Sequence, residues 1–280
     1  MRTRAVRRKI WNVVFIGATT FATLVALGAL FLILWSLLSQ GLAGLSPAIF
    51  THDQPPPGSF GGLRNAIVGS LIMCAVGMVI ALIVGILAGT WLSEYGGNSR
   101  YAQVIRFLND VLLSAPSILV GLFVYQMLVA PFQGFSGWAG AVALAFLATP
   151  IVVRTTEDIL NLQPGALREA GMALGASRSK IIRSVIWRGA RAGLVTGGLL
   201  GFARISGETA PLLFTSLGNQ YLTLNLSQPM AALPTTIFQF ALSAYDDWRR
   251  LAWAGALLIA VAVLAINIVG RFMARETRHS

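Results

Sequence analysis

Charged side chains are scarce in this sequence. They make up 11% of its 280 residues, whereas a soluble domain carries about 25%, and hydrophobic residues make up 56%. Cysteine is nearly absent as well. Cys74 stands alone in an apolar run, so an intrachain disulfide is excluded and a small buried residue is expected. These proportions predict an integral membrane protein and argue against a soluble globular domain.

The motifs of several enzyme classes are also missing. The sequence has no H-E-x-x-H, no G-x-S-x-G and no G-x-x-x-x-G-K-[ST] nucleotide loop. Its two histidines are His52, beside Asp53 in a polar loop, and His279, at the polar C-terminal end. A solvated loop is favoured over a metal pair at His52 and Asp53. We therefore expect no catalytic residue, no metal site and no cofactor in this chain, so any ATP and its magnesium would have to be bound by another chain.

Basic residues outnumber acidic ones, and their placement indicates a membrane rather than a nucleic acid. The sequence has 21 Lys+Arg against 10 Asp+Glu, a formal net charge of +11. The basic residues form short clusters between apolar runs, as the positive-inside rule describes. We therefore expect the lipid bilayer as a partner, no nucleic acid, and both termini in the cytoplasm.

The apolar runs predict an all-α integral membrane protein with about six transmembrane helices of about 20 residues each. The predicted spans are residues 11–38, 65–92, 111–129, 139–153, 193–215 and 251–269. Residues 93–107 and 154–191 are predicted to be cytoplasmic, whereas 39–62 and 216–250 are predicted to be outer segments, the second of which could contain an interfacial or re-entrant helix. We divide the chain into residues 1–62, with the basic N-terminus, the first helix and an outer loop, and a core of residues 63–280.

The fifth predicted span carries an arginine and a glutamate, which is costly at membrane depth. Arg204 and Glu208 are one helical turn apart and can neutralise each other. Three glycines precede them at four-residue steps, and on one continuous helix all five positions would share an arc of about 80°. That helix face would combine close packing with charge, as expected of a helix that faces protein rather than lipid. The glycines predicted to pack against a neighbouring helix are Gly193, Gly197 and Gly201.

Two interpretations of the charged pair stay open. Charges within a membrane usually mark a substrate or ion path, and the planar guanidinium of Arg204 suits an anionic ligand rich in oxygen. A mutually neutralised pair that only fixes helix packing is the alternative.

The cytoplasmic segment after the fourth span has helical periodicity over residues 166–186, with one polar side. An amphipathic helix here could lie on lipid headgroups, belong to an ordinary basic loop, or be offered to a cytosolic partner. The periodicity alone does not distinguish these interpretations.

Residues 167–176, with the sequence L-R-E-A-G-M-A-L-G-A, resemble the EAA loop of bacterial ABC importer permeases. That loop reads Glu-Ala-Ala, then three residues, then Gly. Glu169, Ala170 and Gly175 match it, and Gly171 replaces the second alanine. The resemblance implies that residues 164–188 contain a short coupling helix, which docks into a groove on an ATPase subunit.

Residues 204–215, with the sequence R-I-S-G-E-T-A-P-L-L-F-T, are similar to a block in the phosphate permeases of the same family. The resemblance covers nearly the whole chain. It implies the type I ABC importer transmembrane fold in a bacterial cytoplasmic (inner) membrane. The implied path for inorganic phosphate would be lined by Arg204, Ser206, Glu208 and Thr209.

The same resemblance implies partners. The chain would form the path together with a second permease, and would assemble with two ATPase subunits and an external phosphate-binding protein. A permease for another oxyanion or solute remains an alternative. A proton-coupled secondary anion transporter is the other, although no inverted repeat is visible in the sequence and an EAA-like loop would then have no role.

Overall fold

The computed structural model describes residues 2–276, and the side chains of residues 7–270. Within those residues the regular structure is all helical, which confirms the predicted fold class. The α-helices of the described chain are α1 (Arg2–Gly44), α2 (Ala48–Thr51), α3 (Arg64–Trp91), α4 (Arg100–Ser114), α5 (Ser117–Val124), α6 (Gly137–Asn161), α7 (Gly165–Ala173), α8 (Arg178–Ile181), α9 (Trp187–Gly189), α10 (Arg191–Ser206), α11 (Ala210–Thr215), α12 (Leu233–Ala241) and α13 (Asp246–Glu276). Five-residue π-helical segments follow α3, α5 and α8, at Leu92–Gly96, Tyr125–Val129 and Ile182–Ile186.

Four helices in the described part of the chain are long and apolar enough to cross a membrane, namely α1, α3 with its π-helical end, α6 and α13. Helices α4 and α5, the latter with its π-helical end, are bent by 106° relative to each other at Ala115 and Pro116, so the pair is either a broken fifth span or a re-entrant loop. The prediction of about six spans differs at residues 193–215. That apolar run is broken, since α10 ends at Ser206 and α11 begins at Ala210.

Helix α6 lies at the centre of the bundle. Helix α3 packs along it, and an added Cβ at Gly77, Gly85 or Gly89 of α3 would lie within 2.7 Å of an atom of α6. The α6 residues that these glycines meet are, in the same order, Ala141, Val152 and Thr156. Residue numbers therefore rise in the same direction along both helices, so the two helices run parallel. Helix α10 packs on another side of α6 with the opposite direction. Close backbone contact through small residues is the usual way for membrane helices to pack.

Helix α1 has α13 as its main helix partner. A Cβ on Gly41 would lie 2.8 Å from Leu257 Cβ, and a Cβ on Gly44 would lie 3.2 Å from Ala254 Cβ, so the two helices are antiparallel. The start of α3 packs beside the start of α13, where Leu63 contacts Gly255. The first described residues of α1, the last of α13 and the end of α3 therefore lie on one side of the bundle. That this side is cytoplasmic stays a prediction, and His279 lies outside the described residues.

Residues 93–107 are not the loop that their polar composition predicted. Helix α3 continues through the π-helical segment Leu92–Gly96, and Gly97 then turns the chain with a φ of +49°. The Oγ atom of Ser99 accepts a 3.2 Å hydrogen bond from the backbone N–H of Ala102, which caps α4. Serine is a preferred N-cap residue, so the polar residues mark a helix boundary instead of a loop.

The outer segment 216–250 contains the short helix that the sequence allowed. Helix α12 begins at Leu233 with Pro234 in its first turn, where proline costs no hydrogen bond. The backbone N–H of Leu233 donates a 2.6 Å hydrogen bond to Ser70 Oγ on α3. This bond holds the start of α12 against the bundle.

Candidate functional site

The three glycines of α10 face α6. A Cβ on Gly193 would lie 2.7 Å from Ile159, and one on Gly201 would lie 3.3 Å from Val152. Gly197 lies between them, directly against the side chain of Thr155, and a Cβ there would overlap the Thr155 hydroxyl. The helices therefore approach along this glycine stripe without room for larger side chains.

The helix that carries Arg204 ends shortly after it. Helix α10 ends at Ser206 with Gly207 as its C-cap residue, and Pro211 occupies the first turn of α11. A glycine beyond a helix end and a proline just inside the next helix are common boundary signals. Glu208 thus lies in the break between the two helices and not on α10, which corrects the expectation of one continuous helix from residue 193 to 215.

Arg204 and Glu208 nevertheless form an ion pair through Arg204 Nη1 and Glu208 Oε1. The two side chains have unequal environments. The Glu208 side chain is 8% exposed, whereas that of Arg204 is 48% exposed. The arginine is therefore outside the glycine contact with α6, and its guanidinium remains accessible on a surface of this chain. Because Glu208 holds the guanidinium of Arg204 through one nitrogen, the other N–H groups of Arg204 can donate hydrogen bonds to a ligand.

The two further residues of the predicted path have other partners or surroundings. The hydroxyl of Ser206 donates a 3.1 Å hydrogen bond to the carbonyl of Ala203 on its own helix. Ser206 also lines an apolar cavity of about 230 Å³ together with residues such as Cys74 and Phe202. Thr209 is half-buried at the N-cap position of α11 and makes no side-chain capping bond there. The structure thus places Arg204 with Glu208, and it places Ser206 beside a different, apolar space.

The EAA-like residues lie on the short helix α7 and at its end. Glu169 and Ala170 are exposed, and α7 has no buried residue. Gly175 ends the helix with a φ of +73°, a conformation that favours glycine over residues with a Cβ. Gly171 faces Ile181, and an added Cβ would lie 2.7 Å from Ile181 Cγ1. The departure from alanine at this position therefore has a steric reason.

Apolar side chains are exposed around α7. Leu174 is 88% exposed, Leu162 is 79% exposed and Met172 is 56% exposed. Glu169 and Met172 lie on α7, Leu174 directly follows this helix and Leu162 precedes it. A small exposed helix with apolar side chains and one acid is typical of a surface that binds another protein.

Sequence reasoning missed the ion pairs at this end of the bundle. Glu94 and Glu157 are buried, and each accepts a hydrogen bond from an arginine that is distant in sequence: Arg168 and Arg106 respectively. The N···O distances are 2.6 Å and 2.7 Å. An acid within or beside an apolar run is the signal that could have identified both carboxylates, because such a group needs a buried partner.

A separate ion pair ties the outer segments together. Asp53 accepts a 2.9 Å hydrogen bond from Arg64 Nε and a 3.0 Å bond from the backbone N–H of Leu222. The hydrogen bond from the Arg64 guanidinium holds the pKa of Asp53 below its ordinary value, although partial burial opposes this shift. The predicted solvated loop thus contains an ordered contact between residues 53 and 222. His52 contacts Phe60 edge-on, and the described residues contain no cluster of three or more His, Cys, Asp or Glu that could hold a metal.

Comparison with known proteins points to one family. The family model of the binding-protein-dependent transport system inner membrane component matches residues 81–279. The phosphate transport system permease protein PstA of Haemophilus influenzae is 51% identical over 264 residues, covering 94% of each chain. The PstA protein of Xylella fastidiosa is 52% identical over 266 residues, covering 95% of this chain and 93% of its own. A probable PstA of Methanocaldococcus jannaschii is 36% identical over 270 residues, covering 96% of this chain and 95% of its own.

Solved structures share the fold at much lower identity. The inward-facing MetNI methionine ABC transporter has a chain that is 19% identical with a TM-score of 0.64, covering 77% of this chain and 95% of its own. A bacterial ABC transporter that imports the acidic polysaccharide alginate has a chain that is 14% identical with a TM-score of 0.58, covering 96% and 99% respectively. At these identities both likenesses concern the fold alone.

Proposed function

Because the chain belongs to the family of binding-protein-dependent transport system inner membrane components, we propose that it is the permease subunit of an ATP-driven importer of inorganic phosphate. One observation carries the choice of substrate: relatives named as phosphate permeases share about half of their residues with this chain over nearly the full length of both. As a family member, the chain is one subunit of a larger transporter in the inner membrane.

The proposed phosphate contact is Arg204. Its guanidinium is half exposed on a chain that is otherwise apolar at this point, and it offers charge-assisted hydrogen bonds to an oxyanion. Glu208 holds the guanidinium from its buried side and offsets part of the charge. A site in a transport path must bind its ion weakly enough to release it, so this partial neutralisation favours passage over retention. Thr209 lies next to Glu208 at the start of α11 and would add a hydroxyl to the same path. Ser206 belongs to the proposed path as well, at the edge of the apolar cavity that it lines.

The exposed guanidinium also indicates where the path would run. A half-exposed arginine in a membrane needs water or a protein partner, since lipid would not solvate it. A second permease packed against this surface of α10 would bury Arg204 at the interface and enclose a path between the two chains. The glycine stripe packs α10 against α6, and Arg204, which lies beyond Gly201 near the end of α10, is half exposed and would reach that interface.

The proposed contact with the ATPase is α7. The helix has no buried residue, and apart from Arg168, which pairs with Glu94, and Gly171, which lies against Ile181, its residues are available to a groove on a partner. Leu174 and Met172 would supply the apolar contact area, and Glu169 would supply a charge for a basic group of the partner. ATP would be bound and hydrolysed by that partner, and its movement would reach the path through α7.

The test is uptake of labelled phosphate by cells that lack their own high-affinity system and carry this chain with its genomic neighbours. Uptake would be measured with a protonophore, with ATP depleted, and with an excess of sulfate or molybdate as competitor. The proposal predicts uptake that fails when ATP is depleted, survives the protonophore and resists the competitors. Cells carrying the neighbours without this chain are the control, and they should show no uptake.

Different failures identify different errors. Uptake that collapses with the protonophore while ATP is constant would contradict ATP coupling and favour a proton-coupled carrier. Uptake that is abolished by molybdate or sulfate would leave the importer standing and change its substrate to another oxyanion.

A further inference from the structure

Three arginines from three different helices converge on the end of α3. The π-helical segment Leu92–Gly96 and the following Gly97 contact Arg106 of α4, Arg168 of α7 and Arg178 of α8. We call this group the arginine junction. It joins a membrane-spanning helix to the helix proposed to contact the ATPase.

The strongest contact in the junction is between Glu94 and Arg168. The carboxylate of Glu94 is 2% exposed and accepts bonds of 2.6 Å from Arg168 Nη2 and 3.1 Å from Arg168 Nε. The same guanidinium donates to two backbone carbonyls near the end of α6, with distances of 2.8 Å to Gln163 and 2.9 Å to Leu160. Arg168 therefore connects α7 to the ends of α3 and α6 at once.

The other two arginines hold the turn itself. Arg178 donates to the backbone carbonyl of Glu94, and its guanidinium carbon lies 4.7 Å from the centre of the Tyr95 ring. Arg106 donates a 2.9 Å bond to the carbonyl of Gly97 and pairs with Glu157 of α6. The end of α3 is thus fixed to α4, α6 and α8 even without Arg168.

The Glu94–Arg168 pair is the side-chain link between α7 and the end of α3. Helix α7 has no buried residue, so apolar packing contributes little to its position. A buried ion pair adds little to stability in comparison with apolar packing of the same volume, but it fixes geometry because its bonds are directional. Helix α3 packs along α6 in the core, so a displacement of the end of α3 would also displace its contacts with α6.

We propose that Glu94 and Arg168 are positioning residues that transmit the movement of α7 to α3 during the transport cycle. The proposal rests on the proposed function, because it assumes that an ATPase moves α7. The pair touches neither phosphate nor ATP; it sets how much of the ATPase movement reaches the path.

The test uses the assembled transporter in lipid nanodiscs or vesicles, with phosphate import and ATP hydrolysis measured on the same preparation. Glu94→Gln removes one charge of the pair and keeps the side-chain volume. Phosphate imported per ATP hydrolysed is expected to fall about tenfold or more, as for loss of a charge-assisted hydrogen bond, while the complex still hydrolyses ATP. Amides of α7 should exchange hydrogen faster in this variant. Asp246→Asn is the matched control, because Asp246 is an exposed acid paired with Arg249 at the start of α13, and its ratio should equal that of the wild type.

A second variant keeps the proposal testable where the first does not assemble. Glu94→Gln with Arg168→Gln leaves no unpaired buried charge, so it should fold where the single variant fails. If the residues act as a pair, the double variant loses no more coupling than Glu94→Gln alone. An unchanged import-to-ATP ratio in an assembled variant would overturn the proposal, as would losses that multiply in the double variant. If the wild type itself imports no phosphate with ATP, the proposed function fails first, and this outcome is distinct from the others.

Discussion

Alanine at Gly197 is expected to destabilise the contact between α10 and α6. The added Cβ would overlap the hydroxyl of Thr155, a β-branched side chain that is held by a 2.7 Å hydrogen bond to the carbonyl of Ile151. Thr155 would lose that bond if it rotated away, so either the bond breaks or the helices separate. Overpacking of this kind costs about 1–3 kcal/mol. The gain in helix propensity from Gly to Ala offsets about 1 kcal/mol of it.

The same substitution elsewhere on the chain supplies a graded series. At Gly193 the added Cβ would lie 2.7 Å from two methyl carbons of Ile159, and at Gly201 it would lie 3.2 Å from Met78 Cε. Both contacts are longer than the one at Gly197, so both substitutions cost less. At Gly28 of α1 nothing lies within 4 Å, so Gly28→Ala should keep the full propensity gain. The expected order of stability is Gly28→Ala, then Gly201→Ala, then Gly193→Ala, with Gly197→Ala lowest.

The measurement is the apparent melting temperature of the purified complex in one detergent. One kcal/mol corresponds to about 2–4 °C for a chain of this size class. Gly197→Ala and Gly28→Ala should therefore differ by at least 2–4 °C if their free energies of unfolding differ by about 1 kcal/mol or more. Equal melting temperatures for the two variants would refute the packing argument, because only one of them meets a neighbour.

Three other outcomes are expected. Arg204→Ala should lower phosphate uptake by about tenfold to a hundredfold, because charge-assisted bonds to the anion are lost, while basal ATP hydrolysis stays near that of the wild type. Leu174→Glu should weaken binding of the ATPase in a pull-down of the assembled complex, because a charge replaces an apolar side chain that is 88% exposed in the free chain. Asp53→Asn should lower the melting temperature at pH 7 by a few degrees at most, since a partly exposed ion pair contributes about 1 kcal/mol or less. The Asp53 pKa is lowered on folding, so its contribution is present above the ordinary value of 3.8 and is lost as the pH falls through the lower folded pKa.

The test of Arg204 has a matched control, and the test of Leu174 has a second probe at the same surface. Arg249→Ala removes an exposed arginine from another ion pair and should leave uptake unchanged. Leu264 lies in a membrane span, so Leu264→Glu is not a suitable comparison for Leu174→Glu. Leu162 is exposed near the same surface as Leu174, and Leu162→Glu serves as a second probe of that surface. A complex that no longer assembles with Arg204→Ala would indicate a structural role for the pair with Glu208. If the difference in melting temperature between Asp53→Asn and the wild type stayed the same well below pH 3.8, the ion-pair explanation would be contradicted.

Much of the fold could be predicted because hydropathy and length alone identify long membrane helices. The resemblance of residues 167–176 and 204–215 to ABC importer permeases was likewise confirmed at the level of the family. The prediction of one helix over residues 193–215 was wrong at Gly207, where the structure breaks the helix. The residues on both sides of the break are mostly apolar, so the helical pattern in the sequence continues across it. Gly207 and Pro211 carried the signal, but neither residue alone requires a break in a membrane helix.

Long-range ion pairs could not be predicted from spacing. Glu94 and Arg168 are separated by 74 positions, and no local rule joins them. Arg204 and Glu208 could be paired from their spacing, yet the unequal burial of the two depends on α6 and on the end of α10. Residues 93–107 were assigned to a loop because their polar composition outweighed the cap at Ser99.

The contact between α1 and α13 has a consequence for synthesis of the chain. Helix α1 leaves the ribosome long before α13, which is its main helix partner among the described residues. Gly41 and Gly44 meet residues 250–257, so this interface forms only after every helix between α1 and α13 has been translated. During that interval α1 is held only by lipid or by the insertion machinery. A chain truncated before Arg250 would leave α1 without that partner, so the small-residue face of α1 at Gly41 and Gly44 would stay exposed to lipid.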